Sequence, residues 1–173
     1  MAQHCNARLI GVDRSGVAIT DAQTWRHLFP DVPAARFMTV DVTDTGLPEA
    51  CADMVISIDV LQLVHDPTAM LAEAARLVTQ GGPVVLSTWE GHGMAPRRFP
   101  RDLTTLTRSA GLDVESVTEH PAWLHRQLDI YERAVAADTG EDPAITDLAD
   151  EGRRWQAWQG SVRRVMVTAH RPR

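Results

Sequence analysis

Three short apolar runs in the first third of the chain each lead into an aspartate, whose carboxylate accepts hydrogen bonds and protons. The first run ends at Asp13, the second ends at Asp41, and the third is followed by Asp59. Ligands of open parallel sheets bind outside the carboxyl ends of the strands, so we expect these carboxylates at a ligand-binding edge. A carboxylate in the place of Asp13 suits a ribose, because it can accept hydrogen bonds from both ring hydroxyl groups.

Each candidate also has a simpler interpretation. Asp13 could cap the helix that follows it, without any ligand. Asp59 could position a substrate hydroxyl group, or it could be a polar residue on a solvated loop. His65 could act as a general base toward a substrate, because imidazole titrates near neutral pH, or it could be structural.

The stretch from Asp53 to Trp89 predicts one complete strand, helix, strand unit. Residues 54–58 are β-branched and apolar without alternation, which is typical of a strand buried on both faces. Asp66 followed by a proline predicts the start of a helix. The two glycines at 81–82 predict its C-terminal end, in the left-handed backbone conformation that glycine favours. Such a unit belongs to a parallel sheet. The residues that it places at the ligand edge are Ser57, Ile58, Asp59 and Trp89.

The rest of the chain alternates in the same way. Strands are predicted at 9–12, 36–40, 83–86, 112–118 and 162–169, and helices at 15–29, 67–78 and 103–110. The predicted apolar faces are Ala18, Ala22, Trp25 and Phe29 on the first helix, and Met70, Leu71, Ala74, Leu77 and Val78 on the second. Residues 90–100 are rich in Gly, Pro and Arg and predict a mobile loop at the edge of the site.

Two further helical patterns lie between the last two predicted strands, at about residues 122–159. An insertion at this place would cover the ligand edge as a lid. Its aromatic residues Trp123 and Tyr131, together with Trp89, could line a cavity for an apolar acceptor. Aromatic residues at helical spacing can equally be ordinary core.

Composition limits the possible functions. The 173 residues suit one domain, 1–173, and carry a net charge of −6 with arginines only in scattered pairs, so we expect no nucleic-acid partner. No apolar run is long enough to span a membrane, and no leader pattern is evident, so a cytoplasmic location is expected. The chain contains no lysine, which excludes Schiff-base and P-loop lysine chemistry. Nothing in the composition predicts an oligomeric state.

Metal and disulfide chemistry are not predicted either. Cys5 and Cys51 lie far apart and fit no metal-ligand spacing, so both are interpreted as reduced thiols. His120 and His125 are five residues apart across a proline, which is not a ligand spacing. We therefore expect no metal site.

The order of these segments resembles the class I methyltransferases that use S-adenosylmethionine. The segment ARLIGVDRSGVAITDA is similar to the second strand and helix of that family, and RFMTVDVTDTGLPE is similar to its third strand and loop. Residues 53–87 are similar to its fourth strand through its fifth. The resemblance implies a Rossmann-like, doubly wound α/β fold with a mostly parallel sheet. It also implies methyl transfer to a small-molecule acceptor, since the lid region resembles small-molecule members.

The resemblance also implies roles for individual residues. Asp13 would bind the ribose, Asp41 the adenine amino group, and the backbone of Val42 the adenine ring. Arg14, Ser57 and Ile58 would complete the cofactor site, and Asp59 would lie near the reacting methyl group. Methyl transfer from a sulfonium depends mainly on proximity and alignment, so few catalytic residues are expected.

One family feature is absent from the sequence. The glycine-rich loop after the first strand should lie about 20 residues before the acid of the second strand, which places it upstream of Met1. The expected arrangement is an N-terminally truncated fold without the first strand and most of the first helix, as a fragment of a longer enzyme. Unpaired strand edges, exposed apolar surface and weak cofactor binding would follow.

Two other function classes remain open. A non-catalytic remnant or binding module would keep the sheet without the cofactor loop. A nicotinamide-dependent oxidoreductase of the short-chain type is disfavoured, because Tyr131 is the only tyrosine and the partner lysine is missing.

Overall fold

The computed structural model describes residues 7–30, 32, 34–158 and 160–173. The predicted thiol of Cys5 and the last residue of the predicted lid, Gln159, lie outside the described residues. Cys51 is exposed. None of the described helices has the length and apolar character needed to cross a membrane.

The N-terminal part is a parallel strand pair with a connecting helix. β1 (Leu9–Asp13) pairs with β2 (Ala35–Thr39), with Asp13 opposite Thr39. The helix α1 (Gly16–Trp25) joins them, and the Ser15 hydroxyl caps it by accepting the Ala18 N–H at 3.2 Å. Both strands and the cap agree with the sequence prediction.

The predicted apolar face of α1 is wrong. Ile19 is the buried residue of this helix, whereas Trp25 and Phe29 are 61% and 52% exposed. The helix ends at Trp25 and continues as a 3-10 turn over 26–28, so the 3.6-residue period is lost before Phe29. A helical pattern extended through that turn selects the wrong face.

The second sheet is mixed. β3 (Val55–Ile58) and β4 (Pro83–Gly91) are parallel, and β6 (Val162–His170) runs antiparallel to both β4 and β5 (Asp113–Glu119). The strand order is β3-β4-β6-β5. The fold is therefore α/β as predicted, with parallel pairing confined to the N-terminal half of the chain.

Two helices cover one face of this sheet. α2 (Pro67–Leu77) buries its predicted face, and α3 (Leu103–Ser109) packs beside it over the same core. Asp66 caps α2 by accepting the Ala69 N–H at 2.9 Å. The helix does not end at the glycines as predicted, because Val78 already has an extended backbone. Gly81, at φ +73°, forms the later turn into β4.

Burial of β3 on both faces is also wrong. Ile56 and Ile58 are 42% and 70% exposed. In the described part of the chain β3 is hydrogen-bonded only to β4, and β1 only to β2, so both of these strands have an unpaired edge. The unpaired edges and the exposed apolar surface were both predicted.

The loop after β4 is anchored rather than mobile. The strand extends through Gly91, and the following residues bury Ala95 and Phe99, which are 4% and 1% exposed. Arg101 holds the turn by donating to the Ala95 carbonyl at 2.7 Å. The Gly and Pro content here shapes a compact turn instead of a flexible one.

A buried glutamate joins the two halves of the molecule. Glu73 of α2 is 7% exposed and accepts the backbone N–H and the hydroxyl of Thr45 at 3.0 and 2.6 Å. Arg76 donates to the same carboxylate at 2.7 Å. These bonds, first from Arg76 and then from Thr45, lower the pKa of Glu73 to about 2. The loop after β2 is thereby fixed to α2.

The free energy of unfolding should therefore fall in acid, because Glu73 becomes protonated. Its folded pKa lies below its unfolded value of 4.5, so its contribution is complete above pH 4.5 and is lost as pH falls toward about 2. We expect a loss of roughly 2 to 3 kcal/mol in unfolding free energy over that window, measured by urea denaturation. Glu73→Gln should remove this component, whereas Glu132→Gln, at an exposed site on another helix, should keep it.

Candidate active site

Asp13 and Asp41 lie at the same edge of the parallel pair. Asp13 is the last residue of β1, and its carbonyl accepts the Val40 N–H at 3.0 Å. Asp41 follows Val40, two residues beyond the end of β2. Because the two strands are parallel neighbours, both carboxylates occupy the carboxyl edge, as the sequence predicted.

Asp13 is not the helix cap. Its Oδ1 accepts the Ser15 N–H at 2.8 Å, and Ser15 itself provides the cap. The Oδ2 atom of this exposed carboxylate accepts no hydrogen bond from the described residues. Asp13 therefore shapes the turn with one oxygen and presents the other to solvent at the sheet edge. Arg14, the next residue, is also exposed.

Asp41 is held in a tight turn of its own. Its Oδ1 accepts the backbone N–H and the hydroxyl of Thr43 at 2.8 and 2.7 Å. The backbone bond first, and then the hydroxyl bond, lower its pKa, with a smaller contribution from the charge of Arg14. Val42 packs its side chain against the core, which leaves its peptide groups for any contact with a ring.

Asp59 is locked at the tip of β3. It has a left-handed backbone at φ +57°, a conformation that costs a non-glycine residue roughly 1 kcal/mol or more unless its surroundings hold it. Its N–H donates to the Ser87 carbonyl at 2.9 Å, and its Oδ1 accepts the Ser87 hydroxyl at 3.1 Å. Its Oδ2 accepts from Arg164 at 2.5 Å. Asp59 is therefore a paired, one-third exposed carboxylate, and each of its oxygens accepts one hydrogen bond.

Arg164 of β6 is the buried cation of this site. It is 7% exposed, and its second guanidinium nitrogen donates to the Gln127 side chain at 2.7 Å. Its guanidinium carbon lies 4.7 Å from the centre of the Trp89 ring. The Nε atom is buried and has no partner among the described residues. A buried charge needs such pairing, so Asp59, Gln127 and the indole face together hold it in place.

The predicted lid is two helices, α4 (Pro121–Ala137) and α5 (Pro143–Gln156), between β5 and β6. Gln127 of α4 donates to the Tyr131 hydroxyl, which donates to Glu151 of α5, both at 2.9 Å. Burial, and then the bond to Glu151, raise the pKa of Tyr131, so the phenol stays neutral. A continuous polar network thus runs from the β3 tip through Arg164 to both helices.

The predicted aromatic residues are differently placed. Trp89 and Tyr131 are each 3% exposed and belong to a buried cluster around Trp155, whose ring centre is 4.1 Å from that of Trp89. Trp123 stacks on His120 at 3.9 Å. None of the three predicted residues lines the cavity beside this cluster. That cavity of about 270 Å³ is lined by Leu124, Leu128, Trp155, Gly160 and Val162.

The other predicted site residues are scattered along the same edge. Ser57 has a buried hydroxyl without a partner in the described part of the chain, and Ile58 is largely exposed. His65 is exposed just before the start of α2. No group of three or more potential metal ligands occurs among the described residues.

Sequence reasoning missed Arg164, Gln127 and Trp155. A signal did exist for Arg164, because it is one of two consecutive arginines in a strand that is otherwise rich in apolar residues, a pattern that indicates a paired or functional charge. Gln127 and Trp155 occupy ordinary helical positions. Only the packing of α4 and α5 onto β4 and β6 brings them to the site.

Loss of the Arg164 charge should destabilise the protein, because it leaves the Asp59 carboxylate without its cationic partner. We expect Arg164→Met to lower the unfolding free energy by roughly 2 to 4 kcal/mol, slightly less than for a fully buried pair because Asp59 is one-third exposed. Adding Asp59→Gly should recover part of this loss, since glycine removes both the unpaired carboxylate and the backbone strain.

Arg154→Met is the matched control, because Arg154 is exposed on α5. Urea denaturation of these three variants and of the unaltered protein provides the measurement. An equal loss from Arg154→Met, or no recovery in the double variant, would contradict the assignment of Arg164 and Asp59 as a coupled pair.

A family model described as "Methyltransferase domain" matches residues 1–86. No curated protein matches the chain. Solved structures do match it over nearly its whole length. The chain is similar to the (4+2)-cyclase SpnF, with 17% identity, 95% of this chain and 67% of that chain covered, and a TM-score of 0.80.

Two further similar structures are methyltransferases. One is phosphoethanolamine N-methyltransferase 2 of Haemonchus contortus in complex with S-adenosyl-L-methionine, with 16% identity, coverages of 95% and 43%, and a TM-score of 0.75. The other is geranyl diphosphate C-methyltransferase of Streptomyces coelicolor A3(2), in complex with Mg²⁺, geranyl diphosphate and S-adenosyl-L-homocysteine, with 17% identity, coverages of 95% and 63%, and a TM-score of 0.68.

The chain spans 43% to 67% of the length of these three structures. At such identities the likeness establishes a shared fold, and the cyclase shows that this fold is not limited to methyl transfer. Residues 1–86 thus match a methyltransferase-domain model, and the strand arrangement and the similar solved structures show that the chain has the class I methyltransferase fold.

Proposed function

We propose that this protein binds S-adenosyl-L-methionine and transfers its methyl group to a small-molecule acceptor. The observation that carries the proposal is the pair of carboxylates, Asp13 and Asp41, at adjacent parallel strand ends in a chain with this fold. A cytoplasmic location and the absence of a nucleic-acid partner remain parts of the proposal.

The residues at this edge suit the adenosine part of the cofactor. The outer oxygen of Asp13 is available to a ribose hydroxyl, and Asp41 stays ionised to accept from an adenine amino group. Val42 offers its peptide groups to the ring. The unpartnered hydroxyl of Ser57 is a further donor and acceptor at the same edge, with Ile58 beside it as an exposed apolar surface. Arg14 places a positive charge next to both acids.

When bound, the cofactor supplies an electrophilic methyl group on sulfur. The protein contributes alignment, which is the main requirement for such a displacement. Asp59, predicted as a catalytic group, is better suited to fix the β3 tip, because Arg164 and Ser87 occupy its oxygens. His65 remains the candidate base, since its exposed ring can meet an acceptor proton without losing a structural bond.

The substrate side of the site lies under the helical pair α4–α5. Trp89 and Tyr131 are buried there, and Trp155 connects them to the cavity. Trp89 and Tyr131 would therefore support the wall of a substrate pocket from behind. Trp155 is the side chain that an acceptor would contact. Trp123, stacked on His120, would contribute from the outer side of α4.

A binding protein without methyl transfer is the second candidate. It is favoured by the state of Asp59, whose two oxygens already accept hydrogen bonds from Ser87 and Arg164. Transfer of a radioactive methyl group from S-adenosylmethionine to small molecules of a cell extract distinguishes the two. Labelled product supports methyl transfer, and cofactor binding without product supports the binding protein.

Asp13→Ala should weaken cofactor binding. Loss of a charged acceptor to ribose is expected to cost roughly 1.5 to 3 kcal/mol in binding free energy. The measurement is calorimetric titration with S-adenosylhomocysteine, which avoids turnover. Asp21→Ala is the matched control, because Asp21 is an exposed acid on α1 away from the strand end.

An unchanged affinity in Asp13→Ala would eliminate the ribose role. No binding by the unaltered chain at millimolar ligand would contradict cofactor binding by this chain. Equal weakening in Asp13→Ala and Asp21→Ala would attribute the effect to net charge instead of a direct contact.

A further inference from the structure

The cavity beside the aromatic cluster is the least explained feature of the described structure. It is a half-open apolar cavity with a volume of about 270 Å³. For comparison, an engineered apolar cavity of about 150 Å³ stays dry and binds benzene. The space here is therefore sufficient for a compact organic group.

The walls of this cavity are apolar and firmly held. Leu124 and Leu128 come from α4, Trp155 from α5, and Val162 from the start of β6. The indole of Trp155 is 4% exposed, and its N–H already donates to Glu151 at 3.3 Å. No lining side chain therefore offers a free charge or an uncommitted hydrogen-bond donor.

Gly160 forms the last part of the wall and adds no side chain to it. Its φ of +75° favours glycine, and a Cβ built at this position meets no atom within 4 Å. The chain thus turns beside the cavity without placing a side chain into it. This keeps the apolar space accessible between the helical pair and the start of β6.

The cavity is connected to the reaction edge by direct contacts. The Trp155 ring contacts the Trp89 ring at an interplanar angle of 34°. The Arg164 guanidinium lies over the Trp89 face, and Arg164 binds Asp59 at the β3 tip. The nearest buried cation is therefore already neutralised by a carboxylate. An anionic ligand in the cavity would lose its hydration without gaining a partner.

We propose that this cavity binds a compact, uncharged apolar group, aromatic or alicyclic. This inference rests on the proposed function, because the bound group is the part of the methyl acceptor that determines which acceptor the protein selects. Leu128 and Trp155 are its specificity-determining residues, because they are the larger facing side chains from the two helices.

The first test compares two probes of similar size and different charge. Benzyl alcohol and benzoate are titrated into the full chain, and binding is followed by methyl and indole resonances in nuclear magnetic resonance spectra. We expect benzyl alcohol to bind and benzoate to bind at least about tenfold more weakly, because the cavity offers no partner for the carboxylate. Equal binding of the two probes would overturn the assignment of an uncharged ligand.

The second test locates the site. Leu128→Trp should fill the cavity and reduce benzyl alcohol affinity about tenfold or more, whereas Ile130→Trp should change it less than about twofold. Ile130 is the matched control, because it lies on the same helix and is 49% exposed. If Leu128→Trp fails to fold by circular dichroism, Leu128→Ala replaces it and should shift the preference toward the larger 2-naphthylmethanol.

Titration of S-adenosylhomocysteine into the same samples separates this inference from the proposed function. Cofactor binding without benzyl alcohol binding would overturn the cavity proposal alone. Benzyl alcohol binding without cofactor binding would support the cavity as an apolar site and contradict its role in methyl transfer. Equal effects of Leu128→Trp and Ile130→Trp would show that the probe binds elsewhere.

Discussion

The ion pair between Arg164 and Asp59 is the interaction on which the candidate site depends. Arg164 is 7% exposed and its charge requires a carboxylate, which Asp59 provides from the left-handed turn at the β3 tip. The same cation holds Gln127 of α4 and lies on Trp89. One buried charge thus determines the shape of the strand end, the position of the helical pair and the packing of the aromatic cluster.

The two halves of the molecule are stabilised by different forces. The mixed sheet and its helices share an apolar core, whereas the parallel pair β1–β2 is fastened to them by the bonds of Glu73 and by Val42 in the core. Apolar side chains such as Ile56 and Ile58 remain exposed beside an unpaired strand. An edge of this kind favours strand pairing or association.

The two halves of the molecule also differ in the kind of ligand that we propose for them. Carboxylates at the parallel strand ends suit a polar nucleoside, and the cavity under α4 and α5 suits an apolar group. Asp59 lies at the tip of β3, where its two oxygens accept hydrogen bonds from Ser87 and Arg164. Since a class I fold also occurs in a protein named as a cyclase, function is carried by such local features rather than by the fold.

The sequence alone determined the elements, the strand-end acids and the fold class, because these depend on local pattern: Asp66 and Ser15 cap their helices as predicted, and α2 buries its predicted face. Tertiary structure decided the rest. The antiparallel course of β6 brings Arg164 within reach of Asp59, 105 residues earlier in the chain, and no local pattern encodes that distance. Likewise, the cavity arises where Leu128 and Trp155 face each other across two helices, and helical periodicity cannot distinguish such a wall from core.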